Sequence, residues 1–376
     1  MLLTDDQTMV RDAVRAFAQA ELWPNAAQWD KDHTFPKDVH KGLAELGCYG
    51  ICVPEELGGA GLNYQTLAVV LEEIAAGDGG TSTVISVTNC PVNAILMRYA
   101  NKTQQEQWLR PLAAGTMLGA FCLTEPHVGS DASALRTTAV KDGDAYVING
   151  VKQFITSGKH GDVAIVIAVT DKAAGKRGMS AFIVPTATPG YVVARLEDKL
   201  GQHSSDTAQI NFDHCRIPAD NLIGKEGEGY KIALSALEGG RIGIAAQSIG
   251  MARSAFECAL AYAKERESFG QPIFKHQAVG FRLADMATQI EAARALTHHA
   301  AALRDAGQPC LKEAAMAKLF ASEMAEQVCS AAIQTLGGYG YVSDFPVERI
   351  YRDVRVCQIY EGTSDVQKIL IQRALA

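Results

Sequence analysis

The sequence lacks the signatures of several large protein classes. Its nine cysteines form no C-x-x-C pair, and its histidines show no metal-site spacing, so we predict no metal centre. No G-x-G-x-x-G follows a predicted strand and no glycine-rich loop ends in Lys-Ser or Lys-Thr, which argues against dinucleotide-binding and P-loop folds. The formal net charge is −7, so we expect neither nucleic acid nor an anionic membrane as a partner.

Targeting and membrane segments are also missing from the pattern. The first residues include Asp5 and Asp6 and contain no apolar core of the kind that signal peptides have. No apolar run reaches the roughly 20 residues that a membrane-spanning helix needs. Scattered, unpaired cysteines are typical of a reducing compartment. We therefore expect a cytoplasmic bacterial protein, or a mitochondrial matrix protein if the chain is a processed eukaryotic form.

Hydrophobic periodicity divides the chain into three segments and predicts an α+β multidomain fold. Residues 1–117 have apolar side chains at helical spacing and predict an N-terminal all-α domain. Residues 118–226 contain short β-rich runs and predict a central β-barrel-like domain, with Asn149-Gly150 as a hairpin turn. Residues 227–376 contain long alanine-rich runs at 230–264, 277–305 and 311–336, which predict a C-terminal four-helix bundle.

A lone carboxylate, Glu361, lies in the run IYEGTSDV (359–366) near the end of the chain. Ser364 and Gln367 have the spacing of a capping box, so we expect a helix to begin there. Gly362 would give the preceding turn its backbone freedom. By itself Glu361 is best interpreted as a surface anion whose pKa the helix N-terminus lowers.

Four further stretches change that interpretation: FCLTEPHVGSD (121–131), FITSG (154–158), RESFG (266–270) and QTLGG (334–338). Each alone is an ordinary strand end, turn or helix stop. Together with IYEGTSDV, in this order and over essentially the whole chain, they resemble the acyl-CoA dehydrogenase family, most closely its short-chain, butyryl-type members.

The resemblance implies a flavoenzyme. Its members bind FAD and oxidise an acyl-CoA thioester to the trans-2-enoyl-CoA, passing electrons to an electron-transferring flavoprotein. It implies a short-chain acyl-CoA substrate, straight or branched, and a homo-oligomer, a tetramer built as a dimer of dimers.

The resemblance also assigns roles to individual residues. Glu361 would be the catalytic base, and its N–H would support the developing enolate oxygen. An apolar acyl chain in the pocket would raise the pKa of Glu361 by desolvation. Residues matching FAD contacts are Phe121, Leu123, Thr124, Gly129, Ser130, Phe154, Thr156, Arg266, Phe269, Gln277, Gln334, Gly337, Gly338, Thr363 and Asp365. Residues matching substrate contacts are Ser130, Glu238, Arg241, Gln247, Tyr360 and Gly362.

Several of these assignments have plain structural alternatives. In relatives the segments containing Arg266 and Gln334 come from a neighbouring subunit, but Arg266 could simply stabilise a helix C-terminus. Glu238 and Arg241 could form an i,i+3 ion pair on a helix surface. Gln247 could close the acyl pocket or lie on the surface. Gly240 stands where one branch of the family carries its base, which favours Glu361 for that role.

The sequence departs from the family pattern at four positions: His127, Phe154, Ser157 and His203. Relatives commonly have a small residue, Trp, Asn and Arg there. Two alternative functions stay open, a flavin oxidase on the same scaffold and a non-catalytic FAD-binding homologue. The chain lacks the long basic extra domain of DNA-associated homologues, and its retention of Glu361 favours an enzyme.

Overall fold

The structure, a computed structural model, describes residues 3–376, and its first third is helical. The first helix begins with a capping box in which Thr4 and Gln7 bond reciprocally. The helices are α1 (Asp5–Phe17), α2 (Ala26–Asp32), α3 (Lys37–Glu45), α4 (Tyr64–Gly77), α5 (Gly79–Val87), α6 (Ala94–Tyr99), α7 (Lys102–Gln104) and α8 (Arg110–Ala113). Short π-helical turns at Ala18–Leu22, Thr88–Asn93 and Gln105–Leu109 continue several of them.

Helix α4 is buried over nearly its whole length. Its two glutamates are buried with it and are paired with arginines from other helices. Glu72 lies 2.8 Å from Arg294, and Glu73 lies 2.6 Å from Arg253 and 2.7 Å from Arg15. Buried carboxylates are tolerated when they are paired in this way.

The middle of the chain forms one eight-stranded mixed sheet. Its strand order is β6-β7-β3-β2-β4-β5-β8, with β1 pairing in parallel with β4. The apolar runs at Val163 and Met179 are strands as predicted, and both faces of these two strands are buried. The strands are β1 (Gly119–Cys122), β2 (Thr138–Asp142), β3 (Ala145–Thr156), β4 (Val163–Val169), β5 (Met179–Pro185), β6 (Tyr191–Leu196), β7 (Thr207–Pro218) and β8 (Leu222–Ile223).

The predicted hairpin turn at Asn149-Gly150 is wrong. These residues lie within β3, at an irregularity in its pairing with β7, and the turn before β3 is Gly143-Asp144 instead. Gly150 has φ +148°, and a Cβ there would come within 2.5 Å of Thr137 Oγ1. A bulge and a tight turn both favour glycine, so the dipeptide alone did not distinguish them.

The last third forms the helical bundle, and its long helices match the alanine-rich runs closely. Helices α9, α10 and α11 pack along one another, α4 packs on α9, and α13 and α14 lie against α11. The elements are α9 (Gly229–Glu265), β9 (Glu267–Ser268), β10 (Gln271–Pro272), α10 (Gln277–Asp305), α11 (Leu311–Leu336), α12 (Gly338–Tyr341), α13 (Val347–Val354) and α14 (Ser364–Leu375). The predicted fold class is therefore confirmed.

The sequence also predicted that the chain has no membrane-spanning helix and that its cysteines are unpaired. Among residues 3–376 no helix is both long and apolar enough to cross a membrane. All nine cysteines lie in this part of the chain, and all are free thiols.

The loop that follows β1 is anchored by a buried ion pair. Lys152, which is fully buried, places its Nζ 3.0 Å from Glu125 Oε1 and donates to the Leu123 carbonyl at 2.9 Å. Burial alone would raise the pKa of Glu125, but Lys152 and the backbone donors of Thr137 and Arg136 hold it below its ordinary value.

We predict that Lys152→Met lowers the free energy of unfolding by about 3–5 kcal/mol, because it leaves Glu125 buried and unpaired. Urea denaturation followed by circular dichroism measures the loss. Lys141→Met, on an exposed position of β2, is the matched control and should change little. The double variant Glu125→Gln/Lys152→Met should recover part of the loss. Equal effects of the two lysine substitutions would contradict this account.

Candidate active site

The turn before α14 carries Glu361 in an unusual backbone conformation. Glu361 has φ +53° and Gly362 has φ +92°, so two consecutive residues lie in the left-handed region. The N-cap of α14 is Thr363, whose hydroxyl accepts from the Val366 N–H at 3.3 Å. The predicted capping box at Ser364 is therefore wrong by one residue. Left-handed φ at a residue with a Cβ is uncommon and occurs disproportionately at functional sites.

The carboxylate of Glu361 packs directly on the backbone of α9. A Cβ added to Gly240 would lie 1.8 Å from Glu361 Oε2, so no side chain fits at position 240 while Glu361 occupies this place. Gly240 is the position that would carry the alternative base. The two positions thus face each other across one contact, and in this chain the carboxylate comes from the turn.

The surroundings of Glu361 change its acidity. Its Oε2 is inaccessible to solvent and has no hydrogen-bond partner, although the residue as a whole is half-buried. Burial raises the pKa of Glu361 to about 7, against the opposing effect of Arg241 and Lys318. This direction is opposite to the lowering expected from the helix N-terminus, because Glu361 lies three residues before the first residue of α14 and desolvation dominates.

The other two charged residues predicted on α9 do not pair with each other, and only Arg241 is close enough to the Glu361 carboxylate to act on its pKa. Glu238 accepts from Arg304 Nη1 of α10 at 2.8 Å, so the alternative of an i,i+3 pair with Arg241 is wrong. Arg241 is buried, and its Nε and Nη1 have no protein partner. A buried guanidinium with free donors beside a carboxylate suits the binding of a polar or anionic ligand group.

Gln247 faces the interior, so the surface alternative is wrong. It is fully buried and donates to Thr83 Oγ1 at 3.1 Å, while its Oε1 lies 3.4 Å from the hydroxyl of Tyr360. Thr83 in turn donates to Gln202 Oε1 at 2.8 Å. The amide of Gln247 is thereby held beside the residue that precedes Glu361.

A second strip of predicted residues lies at the end of β1 and the end of β3. The two ends are joined by a bond from the Gln153 N–H to the Thr124 carbonyl at 2.9 Å. Phe154 is 61% exposed, with φ +59°. The strip holds the half-buried Phe121, Leu123, Thr124 and Thr156, and the exposed Phe154, Gly129 and Ser130.

This strip fits a flavin cofactor on two observations. A Cβ added to Gly129 would meet no atom within 4 Å, so the turn is open to a close-approaching group such as a pyrophosphate. Ser157 Oγ is buried and has no protein partner, which leaves a polar atom for a ligand to satisfy. An apolar wall with hydroxyls at its edge suits a planar ring with polar edges.

The predicted FAD residues Thr363 and Asp365 lie at the start of α14, directly after Glu361, whereas the remaining six lie far from Glu361 within one chain. Arg266 follows the end of α9, roughly 38 Å along the helix axis from Arg241 at 1.5 Å per residue. The rings of Tyr262 and Tyr339 lie 6.3 Å apart, which places the ends of α9 and α11 together. The predicted residues in this region are exposed and comprise Arg266, Phe269, Gln277, Gln334, Gly337 and Gly338.

His127 and His203, two of the residues that depart from the family pattern, both lie beside acidic side chains. His127 Nε2 lies 3.6 Å from Glu125 Oε2, beside the loop that follows β1. His203 connects the middle of the chain to the N-terminal helices, with Nδ1 2.8 Å from Asp30 Oδ1 of α2 and Nε2 2.6 Å from the Lys199 carbonyl. Asp30 also pairs with Arg352 at 2.6 Å, so His203 joins an existing charge cluster.

Three residues around the site were not predicted to belong to it: Thr83, Lys318 and Gln367, the last of which was predicted only as part of a capping box. Lys318 had a detectable signal, because it falls with Ala314, Ala321 and Ala325 on one buried stripe of α11. A lysine on an apolar stripe is rare enough to mark a buried cation with a specific partner. Thr83 and Gln367 carry no comparable signal.

Family models match nearly the whole chain. Those described as acyl-CoA dehydrogenase N-terminal, middle and C-terminal domains match residues 4–116, 120–215 and 227–376. The short-chain specific acyl-CoA dehydrogenase, mitochondrial, of Homo sapiens is 47% identical over 369 residues, covering 98% of this chain and 90% of that protein.

Solved structures agree over the full length. Butyryl-CoA dehydrogenase from Megasphaera elsdenii superposes with a TM-score of 0.98 at 41% identity, covering 100% of this chain and 99% of that one. A chain from a structure described as the electron transferring flavoprotein of Acidaminococcus fermentans gives 0.98 at 47% identity, with the same coverage. This chain belongs to the acyl-CoA dehydrogenase family.

Proposed function

We propose that the protein is an FAD-dependent dehydrogenase that converts a short-chain acyl-CoA thioester to the trans-2-enoyl-CoA. The observation that carries the proposal is the buried, unpartnered carboxylate of Glu361 in its left-handed turn against Gly240. The names of the human and Megasphaera relatives support the short-chain assignment. A butyryl or similarly short, straight or branched acyl group is the proposed substrate.

FAD would be held by the strip at the ends of β1 and β3, and when bound it supplies an acceptor for a hydride. Glu361 removes the proton from the α-carbon of the acyl group, and the electrons of that C–H bond enter the new Cα=Cβ bond as the β-hydride departs. A carboxylate with a pKa of about 7 is well suited to proton abstraction near neutral pH, because a glutamate with its ordinary, lower pKa would be a weaker base.

The developing enolate oxygen needs a donor near Glu361. Within residues 3–376 no protein acceptor takes the backbone N–H of Glu361, so we propose that this N–H donates to the thioester oxygen. One such donor is typically worth about 2.7–4 kcal/mol of barrier. Arg241 and Glu238 are proposed to contact the CoA portion of the substrate, with Tyr360 and Gly362 along the acyl group.

We also propose that the complete enzyme is a homo-oligomer, a tetramer built as a dimer of dimers. The exposed Arg266 and Gln334 regions lie too far from Glu361 to serve the same site, and a second copy could supply them to its neighbour's FAD. Thr363 and Asp365 would contribute on the adenosine side.

An electron-transferring flavoprotein is the proposed electron acceptor, supported by the Acidaminococcus structure. Nine free thiols fit the cytoplasmic location proposed from the sequence.

Replacing the base tests the reaction directly. Glu361→Gln should keep the flavin band but slow its anaerobic bleaching by butyryl-CoA by roughly 10²–10⁴-fold, the usual contribution of a general base.

For the wild type, kcat/KM should rise with pH through about 7, since the base must be ionised. The pKa from kcat should be higher, because a bound acyl chain desolvates the carboxylate.

Glu257→Gln, at a partly exposed carboxylate of α9, is the matched control and should bleach at the wild-type rate. An unchanged rate in Glu361→Gln would remove Glu361 from the mechanism. Peroxide formed under air as fast as substrate is consumed would instead indicate the oxidase alternative.

Chain length should depend on Gln247. Gln247→Ala removes a buried amide beside Tyr360, so we expect hexanoyl-CoA and longer acyl-CoAs to gain in kcat/KM relative to butyryl-CoA, by roughly 10-fold or more. Ser248→Ala, at the next and equally buried position of α9, is the control and should keep the wild-type preference. An identical chain-length profile in both variants would show that Gln247 does not close the pocket.

Sharing of sites between subunits can be tested by mixing two inactive variants. We expect Arg266→Ala to lose FAD and Glu361→Gln to lose turnover, each when expressed alone. Co-expressed with different tags and purified for both, they should regain part of the activity, since one site per mixed pair holds both native residues. Mixed oligomers as inactive as either parent would place Arg266 outside a shared site.

A further inference from the structure

Two buried side chains from different helices converge on one carbonyl oxygen of the catalytic turn. Lys318 Nζ, from α11, donates to the Gly362 carbonyl at 2.8 Å. Gln367 Nε2, from α14, donates to the same oxygen at 2.8 Å and to the Glu361 carbonyl at 3.2 Å. Both side chains are fully buried.

The turn needs such support. Glu361 holds a left-handed φ that costs energy for a residue with a Cβ, and its own Oε2 has no partner that would fix it. The backbone conformation is therefore not determined by the side chain of Glu361. Two donors on the following carbonyl fix the peptide plane between Gly362 and Thr363, and through it the direction in which Glu361 points.

Lys318 differs from Gln367 in bringing a charge. Burial lowers the pKa of Lys318 to about 8. The titratable or charged groups that face it are Cys357, Glu361, Arg241 and Glu323. Those that face Glu361 are Arg241, Lys318 and Cys90. An apolar side chain would fill the α11 stripe without the cost of burying an ammonium, so the lysine needs an explanation beyond packing.

We propose that Lys318 and Gln367 are positioning residues for Glu361, forming a two-donor clamp on the Gly362 carbonyl that holds the carboxylate against Gly240. The inference rests on the proposed role of Glu361 as the base. Within the clamp Gln367 acts through geometry alone. Lys318 acts through geometry and also through its charge, which stabilises the ionised carboxylate.

The two variants Lys318→Met and Gln367→Met test the clamp, because each removes one 2.8 Å donor from the same oxygen. We expect kcat for butyryl-CoA to fall roughly 3- to 10-fold in Gln367→Met and roughly 10- to 100-fold in Lys318→Met, with smaller changes in KM. The ascending limb of kcat/KM should move to higher pH, by roughly half a unit to one unit, in Lys318→Met but not in Gln367→Met.

A third variant separates charge from hydrogen bonding. Lys318→Gln can keep a donor without a charge, so it should retain more kcat than Lys318→Met while showing the same shift of the pH limb. It also serves if Lys318→Met does not fold, which circular dichroism and FAD content will show. A pH limb that stays at its wild-type position in both Lys318 variants would overturn the charge role, and unchanged kcat in Gln367→Met would overturn the clamp.

A measurement without turnover separates this inference from the proposed function. The Glu361 carboxyl can be titrated by infrared difference spectroscopy, with Glu361→Gln as the blank, in the wild type and in Lys318→Gln. A higher pKa in the variant supports the charge contact even if no acyl-CoA bleaches the flavin. Bleaching by butyryl-CoA together with an unshifted carboxyl titration would sustain the dehydrogenase and reject the role of Lys318.

Discussion

The packing of the Glu361 carboxylate on the backbone of α9 at Gly240 is the contact on which the rest of the site depends. It removes Oε2 from water, and water would otherwise keep the carboxylate a weak base. It also excludes a side chain from the position that faces the turn, because a Cβ there would lie 1.8 Å from that oxygen. Carrying the base on the turn and carrying it on α9 are therefore mutually exclusive solutions, and one glycine decides between them.

Burying this carboxylate brings a second requirement, a balance of charge. Desolvation alone would leave Glu361 protonated at neutral pH, whereas a direct ion pair would lower its pKa and weaken it as a base. The structure lies between these limits. Arg241 and Lys318 act on Glu361 through space without bonding to Oε2, and the resulting pKa of about 7 keeps a useful fraction both ionised and reactive.

The sequence predicted the parts of the fold that repeat and missed the parts that depend on a single contact. Helices α9 to α11 were predicted almost to the residue, because their apolar spacing persists over many turns. Asn149-Gly150 was assigned to a turn because only the approach of Thr137 makes it a bulge. Glu361 was found through the motifs around it. Lys318 was missed although its place on the buried stripe of α11 marks a buried cation, because its partner is a backbone carbonyl that the sequence does not identify.

The glycines of α9 reduce the stability of this helix but let neighbouring elements pack closely against its backbone. Glycine costs about 1 kcal/mol relative to alanine in a helix interior, yet four occur within a dozen residues of this helix. Each has a neighbour that a Cβ would strike: Tyr64 at Gly239, Glu361 at Gly240, Ser86 at Gly243 and the Glu72 carbonyl at Gly250. Three of these neighbours belong to α4 and α5. The glycines of α9 thus allow close contact both with the Glu361 carboxylate and with the N-terminal helices. The stability of the domain contact and the position of the base therefore both depend on this one helix.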